Sequence, residues 1–334
     1  MLNDLTYELL ENEIISLGEP KFRAGQLFKW FACGVTDVNE MTNLPKIFRD
    51  KINVTEVKIY KKFASAIDET VKYLIQCSDG NIIESVAMRY KHGISVCIST
   101  QIGCRMGCGF CASTVGGIVR DLSASEILGQ VALLQRDLGE RISNIVLMGI
   151  GEPLDNYGSV ITFLKNVNNE KGMNIGYRHI SLSTCGLVDK IDLLAQEKMP
   201  VTLSVSLHAP DDATRTKIMP INKKYPIAAL MESCKRYINE TGRRISFEYI
   251  LISGVNDDRQ HAASLAALLK GMLCHVNLIP ANMVAESGYT GSATNVVYAF
   301  LNELTKRGIN ATVRRELGSD IAASCGQLRK AETP

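Results

Sequence analysis

From Ile94 onward the chain alternates short, apolar, β-rich runs with helical stretches, and this alternation narrows the possible folds more than any other feature. The β runs are SVCIST, NIVLMGI, HISLSTC, VTLSVSL, RISFEYILI, HVNLIPA and NATVRRE. Between them lie helical stretches such as Ala124–Leu138, Ser159–Val167, Ala228–Glu240 and Asp257–Leu273. Runs that are apolar at most positions suit strands buried on both faces, and helical crossovers join parallel neighbours. Seven such units predict an α/β fold, a full or partial TIM-like (β/α) barrel. Functional groups should then gather at the C-terminal ends of the strands.

Two segments precede the barrel. Residues 1–52 read as a small helical accessory domain, with Leu9, Leu10, Ile14 and Ile15 at helical spacing. Further on, Phe22, Leu27, Phe28 and Trp30 are interleaved with Lys21, Arg23 and Lys29. That mixture suits either the solvated face of a helical bundle or an RNA-docking appendage. Residues 53–90 alternate as strands do (VTEVKIY, YLIQC, IIESVAMRY) around the turn signal Ser78-Asp79-Gly80. They predict an antiparallel β extension leading into a core of residues 91–334.

The formal net charge is only +2, so a phosphate-binding surface must be local rather than global. No apolar run approaches the roughly 20 residues of a membrane span. The N-terminus MLNDLTYELLENEII is acidic and amphipathic, unlike a secretory signal. Both features point to a cytoplasmic protein. Ten cysteines in a reducing compartment point to metal or redox chemistry rather than a disulfide scaffold.

The densest signal is Gln101-Ile-Gly-Cys104-Arg-Met-Gly-Cys108-Gly-Phe-Cys111, at the end of the first barrel strand. Three thiolates spaced CxxxCxxC supply three of the four ligands a cubane needs and leave one iron open. A zinc site would want a fourth Cys or His nearby, and the next His, His179, is far off in sequence. Buried structural thiols would need no such spacing. A second signal, Met148-Gly149-Ile150-Gly151-Glu152-Pro153-Leu154, ends the next strand. Its glycines permit close backbone approach to a ligand, although by itself it reads equally as a tight βα turn.

Together these motifs resemble the signatures of radical S-adenosylmethionine (SAM) enzymes, a [4Fe-4S] cysteine motif and a GGEP-like element. Five further segments narrow the resemblance to the RlmN/Cfr family of RNA methyltransferases, over essentially the full length. They are Cys97-Ile-Ser-Thr-Gln101, Leu182-Ser183-Thr-Cys-Gly186, Ser204-Val-Ser206-Leu207-His208-Ala209-Pro210 with Met219-Pro-Ile-Asn222, Val276-Asn-Leu-Ile-Pro280, and Ala323-Ser-Cys325-Gly-Gln327-Leu.

The resemblance implies a partial barrel of the radical SAM type and two SAM molecules per turnover. It implies cluster ligation by Cys104, Cys108 and Cys111, and a SAM site of Gly151, Glu152, Ser183, Ser206, Leu207, His208 and Asn282. Cys325 resembles the cysteine that first accepts a methyl group, Cys97 its later disulfide partner, and Glu84 the general base. Taken without the family, Glu84 reads as an outward strand residue, Leu207 as core and His208 as a structural imidazole. Cys33, Cys77, Cys185, Cys234 and Cys274 read as ordinary core thiols.

The implied chemistry suits its target, because an adenine C2 carbon is not nucleophilic and simple SN2 transfer from SAM fails. A radical on a methylthioether at Cys325 can add to that carbon. Glu84 then takes the ring proton, and Cys97 attacks the Cys325 sulfur, leaving a disulfide for an external reductant such as flavodoxin or ferredoxin. The implied partners are 23S rRNA and tRNA, with no membrane and a monomeric enzyme.

This sequence departs from the family pattern in two places. Around Cys325 it reads Asp320-Ile-Ala-Ala-Ser-Cys where Asp-Ile-Asp-Ala-Ala-Cys is usual, and Met283 follows Asn282 where Pro or Tyr is usual. Pro153 favours C2 methylation over the C8 methylation of Cfr-like resistance enzymes. Readings of another class are an iron–sulfur electron carrier, which would hold four protein ligands, and a zinc-stabilised RNA-binding module.

Overall fold

The structure, a computed structural model, describes residues 1–329 except Thr36, Met283, Ala285 and Glu286. The departure at Met283 therefore lies outside the described residues. Strands β1 (Val57–Ala64), β2 (Val71–Cys77) and β3 (Ile82–Tyr90) form an antiparallel meander that pairs onto β4 (Gly93–Cys97). A separate hairpin, β5 (Gln101–Gly103) and β6 (Ile118–Asp121), brackets the cysteine motif. From β4 the main sheet continues in parallel through β7 (Ile142–Leu147), β8 (Ile180–Thr184), β9 (Thr202–Ser206), β10 (Ile245–Leu251), β11 (Cys274–Pro280) and β12 (Ala311–Val313).

Apart from the β5–β6 hairpin, the described residues thus form a ten-stranded main sheet in which β12 does not close onto β4, so the barrel is partial. The β extension and the barrel share a single sheet. Helices α1 (Tyr7–Ser16), α2 (Phe22–Ala32) and α3 (Lys46–Arg49) precede it. Helices α4 (Ala124–Leu138), α5 (Tyr157–Asn168), α6 (Val188–Gln196), α7 (Asp212–Ile218), α8 (Ile227–Thr241), α9 (Arg259–Leu269) and α10 (Thr294–Lys306) follow the strands.

Local chemistry accounts for several of these boundaries. Helix α4 starts at a reciprocal Ser123–Glu126 capping box and stops at Gly139, whose left-handed backbone suits a helix end. It carries a fully buried polar residue, Gln130, which ties three segments together. Gln130 Oε1 accepts from Ser85 Oγ and from the Ser99 N–H, both at 2.8 Å, and its Nε2 donates to the Ser99 carbonyl at 2.9 Å. Ser99 Oγ donates to the Glu84 carbonyl at 2.6 Å and accepts from the Ile150 N–H at 3.0 Å. The ends of β3, β4 and β7 are thereby pinned to one another beside the two sequence motifs.

The N-terminal helices bury their own apolar cluster, including Leu10, Ile14, Leu27, Phe28, Phe31 and Phe48. Not every helically spaced residue faces inward: Leu9 and Ile15 are about half exposed, because α1 packs along one stripe only. Cys33, expected in the core, is exposed at the C-terminal cap of α2, where the chain leaves the bundle.

Candidate active site

The C-terminal ends of the parallel strands surround a cavity, and most of the sequence-predicted residues meet there. Cys104, Cys108 and Cys111 line it, with Gly151, Glu152, Ser183, Ser206 and His208 on its strand-end walls. Cys325 closes the cavity from the C-terminal segment.

The cysteine loop is held by main-chain bonds. The Cys104 N–H donates to the Gly117 carbonyl, the Gly109 N–H to the Ile218 carbonyl, and the Ala112 N–H to the Gly326 carbonyl. Its base is fixed by buried Gln101, whose Oε1 accepts from the Glu152 N–H at 2.8 Å and whose Nε2 reaches Asp121 and Asp155. Gly151 has φ +105°, and a Cβ there would lie 2.6 Å from the Gln101 Cβ. Only glycine lets the two motifs touch.

Burial raises the thiols of Cys104, Cys108 and Cys111 above their ordinary range, Cys104 to about 12. Binding iron must therefore release their protons. Among the described residues no three His, Cys, Asp or Glu side chains converge on a single-ion site. Tetrahedral zinc would draw its sulfurs to within about 4 Å of each other. A cubane takes its thiolates on separate irons, so three thiols spread around a cavity fit the cluster better. These cysteines would hold it with three protein ligands, leaving one iron without a protein ligand.

The walls carry defined hydrogen-bonding roles. Glu152 is buried, and its oxygens accept from the Leu154 N–H at 3.1 Å and the Cys185 N–H at 2.7 Å. Burial pushes its carboxyl up against these bonds. Cys185 belongs to the buried core, as read from sequence, and it also lines the cavity and lends that N–H. His208 sits at φ +58°, is buried, and accepts the Ile250 N–H on Nδ1 at 3.0 Å. Its ring proton is therefore on Nε2, and burial, then the Arg215 charge, holds it neutral down to about 3. Phe110 of the cysteine loop meets its ring edge-on at 4.9 Å. Leu207 is a fully buried core residue and does not line the cavity.

The remaining predicted residues lie beside the cavity. Asn282 lines a second, adjoining cavity that shares Cys325, Ile279 and Arg314 with the first. Its Nδ2 donates to the Cys325 carbonyl at 2.9 Å. Cys97 is buried and lines neither cavity; its thiol is raised to about 12 by burial and then by the Cys325 sulfur, against the Arg314 charge and the Met148 N–H.

Glu84 is buried rather than solvated, because residues 314–329 cross over its strand. Its Oε2 accepts from the Arg329 N–H at 3.0 Å, and Lys72 Nζ lies 3.4 Å from Oε1. Burial raises its carboxyl in spite of Lys72. The basic residues of the helical segment are partly consumed: Lys21 pairs with Glu11 at 3.0 Å, and Arg23 donates to Gln26 at 2.7 Å.

Three charged residues of the site carried no sequence signal of their own. Arg215, fully buried, donates to the Leu207, Cys185 and Ser206 carbonyls and to Asn222 Oδ1, binding the ends of β8 and β9. Glu248 on β10 lines the cavity and accepts from Asn277 Nδ2 at 2.7 Å and Ser246 Oγ at 3.0 Å. Arg314 lines both cavities, and its Nη1 lies 3.5 Å from Met148 Sδ. Arg314 directly follows β12, so the rule of functional strand ends could have flagged it, whereas Glu248 lies mid-strand in β10 and could not be found that way.

The departures near Cys325 have local consequences. Ala322 sits in the left-handed region at φ +49°, a conformation that Asp tolerates better than Ala. The hydroxyl of Ser324 is absorbed by donating to the Leu317 carbonyl at 3.0 Å.

Known proteins resemble this chain over nearly its whole length. Residues 98–266 match the radical SAM superfamily, and residues 1–57 match the ribosomal RNA large subunit methyltransferase N-terminal domain. A relative from Alkaliphilus oremlandii, named a dual-specificity RNA methyltransferase RlmN, is 55% identical over 98% of this chain and 97% of its own. One of the same name from Clostridium tetani is 54% identical over 98% of this chain and 95% of its own. The crystal structure of a radical SAM methyltransferase from Sphaerobacter thermophilus superposes with a TM-score of 0.93 at 43% identity, covering 98% of each chain. The chain belongs to the radical SAM superfamily and, within it, to the RlmN-type dual-specificity RNA methyltransferases, which use SAM and a [4Fe-4S] cluster.

Proposed function

We propose that this enzyme methylates C2 of an adenosine in the peptidyl-transferase loop of 23S rRNA, and of the adenosine next to the anticodon in tRNAs, by way of a methyl group carried on Cys325. The observation that carries the reading is that Cys325 lines two adjoining cavities at once. One is ringed by the three cluster cysteines, and the other leads away from them. A sulfur so situated can take a methyl group from one side and offer it to a base on the other.

When bound, the cluster supplies the electron that splits SAM and yields a hydrogen-abstracting radical. Glu152 and His208 hold the SAM side, with His208 donating from Nε2. Cys325 bears the one-carbon unit to the electron-poor C2. Glu84, its carboxyl raised by burial, is suited to accept the ring proton. Cys97 then attacks the Cys325 sulfur and breaks its bond to the one-carbon unit, which takes up a proton as the new methyl group while the adduct's unpaired electron leaves to the redox partner. Arg314 and the Met148 N–H favour the Cys97 thiolate against burial. The resulting disulfide needs an external reductant of flavodoxin or ferredoxin type. Pro153 in the Gly-Glu-Pro-Leu element favours C2 over C8. The helical residues 1–52 add RNA contacts through exposed Lys29. The enzyme acts in the cytoplasm.

The test is anaerobic turnover with SAM, reductant and fragments of both RNAs, followed by nucleoside mass spectrometry. 2-Methyladenosine is expected, and 8-methyladenosine would overturn the regiochemistry. Cys97→Ala should stall as a covalent protein–RNA adduct on denaturing gels, lost on nuclease digestion. Normal product release from that variant would remove Cys97 from the resolving role.

A further inference from the structure

The opposite end of the barrel, where the parallel strands begin, carries a hollow that the site above does not use. It is lined by His92 in the β3–β4 turn, Arg141, Ser143 and Asn144 at the start of β7, and His179 just before β8. His92, Arg141 and His179 are all exposed, and so are their sequence neighbours Lys91 and Arg178.

The backbone is built to seat the turn here. Gly93 has φ +113°, and a Cβ on it would lie 2.1 Å from Ser143 Oγ and 2.9 Å from Ser143 Cβ. Glycine alone lets the turn close against β7 and hold His92 over the hollow. Arg141 Nη2 donates to the Asn174 carbonyl at 2.9 Å, which anchors one arm of its guanidinium. His179 Nδ1 meets Asn144 Oδ1 at 3.2 Å. Among the described residues no carboxylate pairs with Arg141, His92 or His179.

A single aromatic pair separates the hollow from the cavity at Cys325. The His92 ring stacks on Tyr90 with centroids 5.2 Å apart and an interplanar angle of 11°. Tyr90 is half-buried, and it lines the second cavity with Cys325, Asn282, Arg314 and Arg315. One stacked pair therefore stands between the hollow, with the Arg141 guanidinium and exposed Lys91 and Arg178 at or beside it, and the cavity that opens on Cys325. Aromatic faces flanked by cations are what an unstacked RNA strand binds, its bases on the rings and its phosphates on the charges.

We propose that this hollow holds the phosphodiester backbone beside the target adenosine, with Tyr90 and His92 as the aromatic step past which the target base reaches Cys325. The ligand is single-stranded RNA. The proposal rests on the reading of Cys325 as the methyl carrier and adds where the strand lies.

Arg141→Glu and His92→Ala test it, since both side chains are exposed and the fold should survive. Lys235→Ala on α8, whose partner is Glu232 at 2.7 Å, is the control. Binding of a fluorescein-labelled loop RNA is followed by anisotropy across a salt series. Arg141→Glu should weaken binding by roughly tenfold or more and lower the log–log salt slope by about 0.7–1. Lys235→Ala should change neither. SAM-dependent methylation of Cys325 without RNA, read by mass spectrometry, should match wild type in all three variants. Tyr90→Ala should reduce kcat/KM for RNA more than it weakens binding.

Wild-type affinity and slope in Arg141→Glu, or an equal loss in Lys235→Ala, overturns the proposal. Wild-type protein that binds RNA with the expected salt pattern but forms no methyladenosine would overturn the proposed function and leave the docking surface standing. Product formation that is indifferent to Arg141→Glu, His92→Ala and Tyr90→Ala would overturn the docking surface alone.

Discussion

The cysteine loop, residues 101–111, and the C-terminal strap, residues 314–329, bring sulfur to the same cavity on very different foundations. The loop grows out of the sheet. Buried Gln101 anchors it, Arg105 grips Asp155 with two bonds of 2.7 Å, and Arg215 ties together the strand ends behind Cys108. The strap hangs from separate points. Asp320 accepts from Ser65 Oγ at 2.7 Å and the Ala66 N–H at 2.8 Å, and Asp68 accepts from the Gly318 N–H at 2.9 Å. Asn282 and the Glu84 carboxylate hold it further along. Thiolates that hold a cluster need one geometry. On the proposed chemistry, a sulfur that accepts a methyl group, meets a base and then meets Cys97 needs several. Anchorage by a few side chains, with Ala322 in an unfavourable left-handed conformation, suits the second task.

The sharpest way to break the comparison is to remove one sulfur from each region. Cys108→Ala should lose the iron–sulfur absorbance and all turnover. Cys325→Ala should keep a full cluster and its spectral response to SAM while forming no modified RNA. Cluster loss in Cys325→Ala would mean that the two regions are not independent. Loss of the strap's outer anchor should cost less. Asp320→Ala should leave iron content unchanged and lower turnover, by up to about 10²-fold if Cys325 is displaced by an ångström. Faster hydrogen exchange confined to residues 314–329 should accompany it, and unaltered exchange and rate would show that Asp320 is dispensable.

The smallest effect concerns the rigid side and its pH dependence. His208 stays neutral in the fold down to about 3, whereas the unfolded chain takes up that proton near 6.5. Its depressed value therefore removes stability as pH falls below about 6.5, by at most ~1.4 kcal/mol per unit, with no cost above it. Buried Glu84, Glu152 and Glu248 have raised carboxyls and act in the opposite sense, gaining stability as pH falls. The comparison that isolates His208 is wild type against His208→Gln in urea at pH 7.5 and 5.5. The variant should lose less stability on acidification, and equal losses would mean that the imidazole does not titrate as its burial requires.

Much of this molecule was legible without coordinates, for local reasons. Apolar runs alternating with helical stretches specify parallel strands and crossovers, and the strand-end rule then puts CxxxCxxC and Gly151-Glu152 at one mouth. Spacing within a loop is a short-range property. Long-range packing decided the rest. Glu84 lies in an alternating strand and looks solvated until residues some 230–245 positions later cross over it. Nothing in the sequence singles out Arg215, yet it is the largest fully buried side chain among the described residues, because α7 docks where the chain at the ends of β8 and β9 leaves carbonyls to be bonded. Leu9, Ile15 and Cys33 went the other way, the first two because α1 packs along one stripe and Cys33 because it caps α2 where the chain leaves the bundle. Local pattern determines which element forms and which end of a strand can carry chemistry. Whether a given charge is buried, paired or free depends on which distant segment covers it, and that is decided only when the sheet closes and the strap is laid across it.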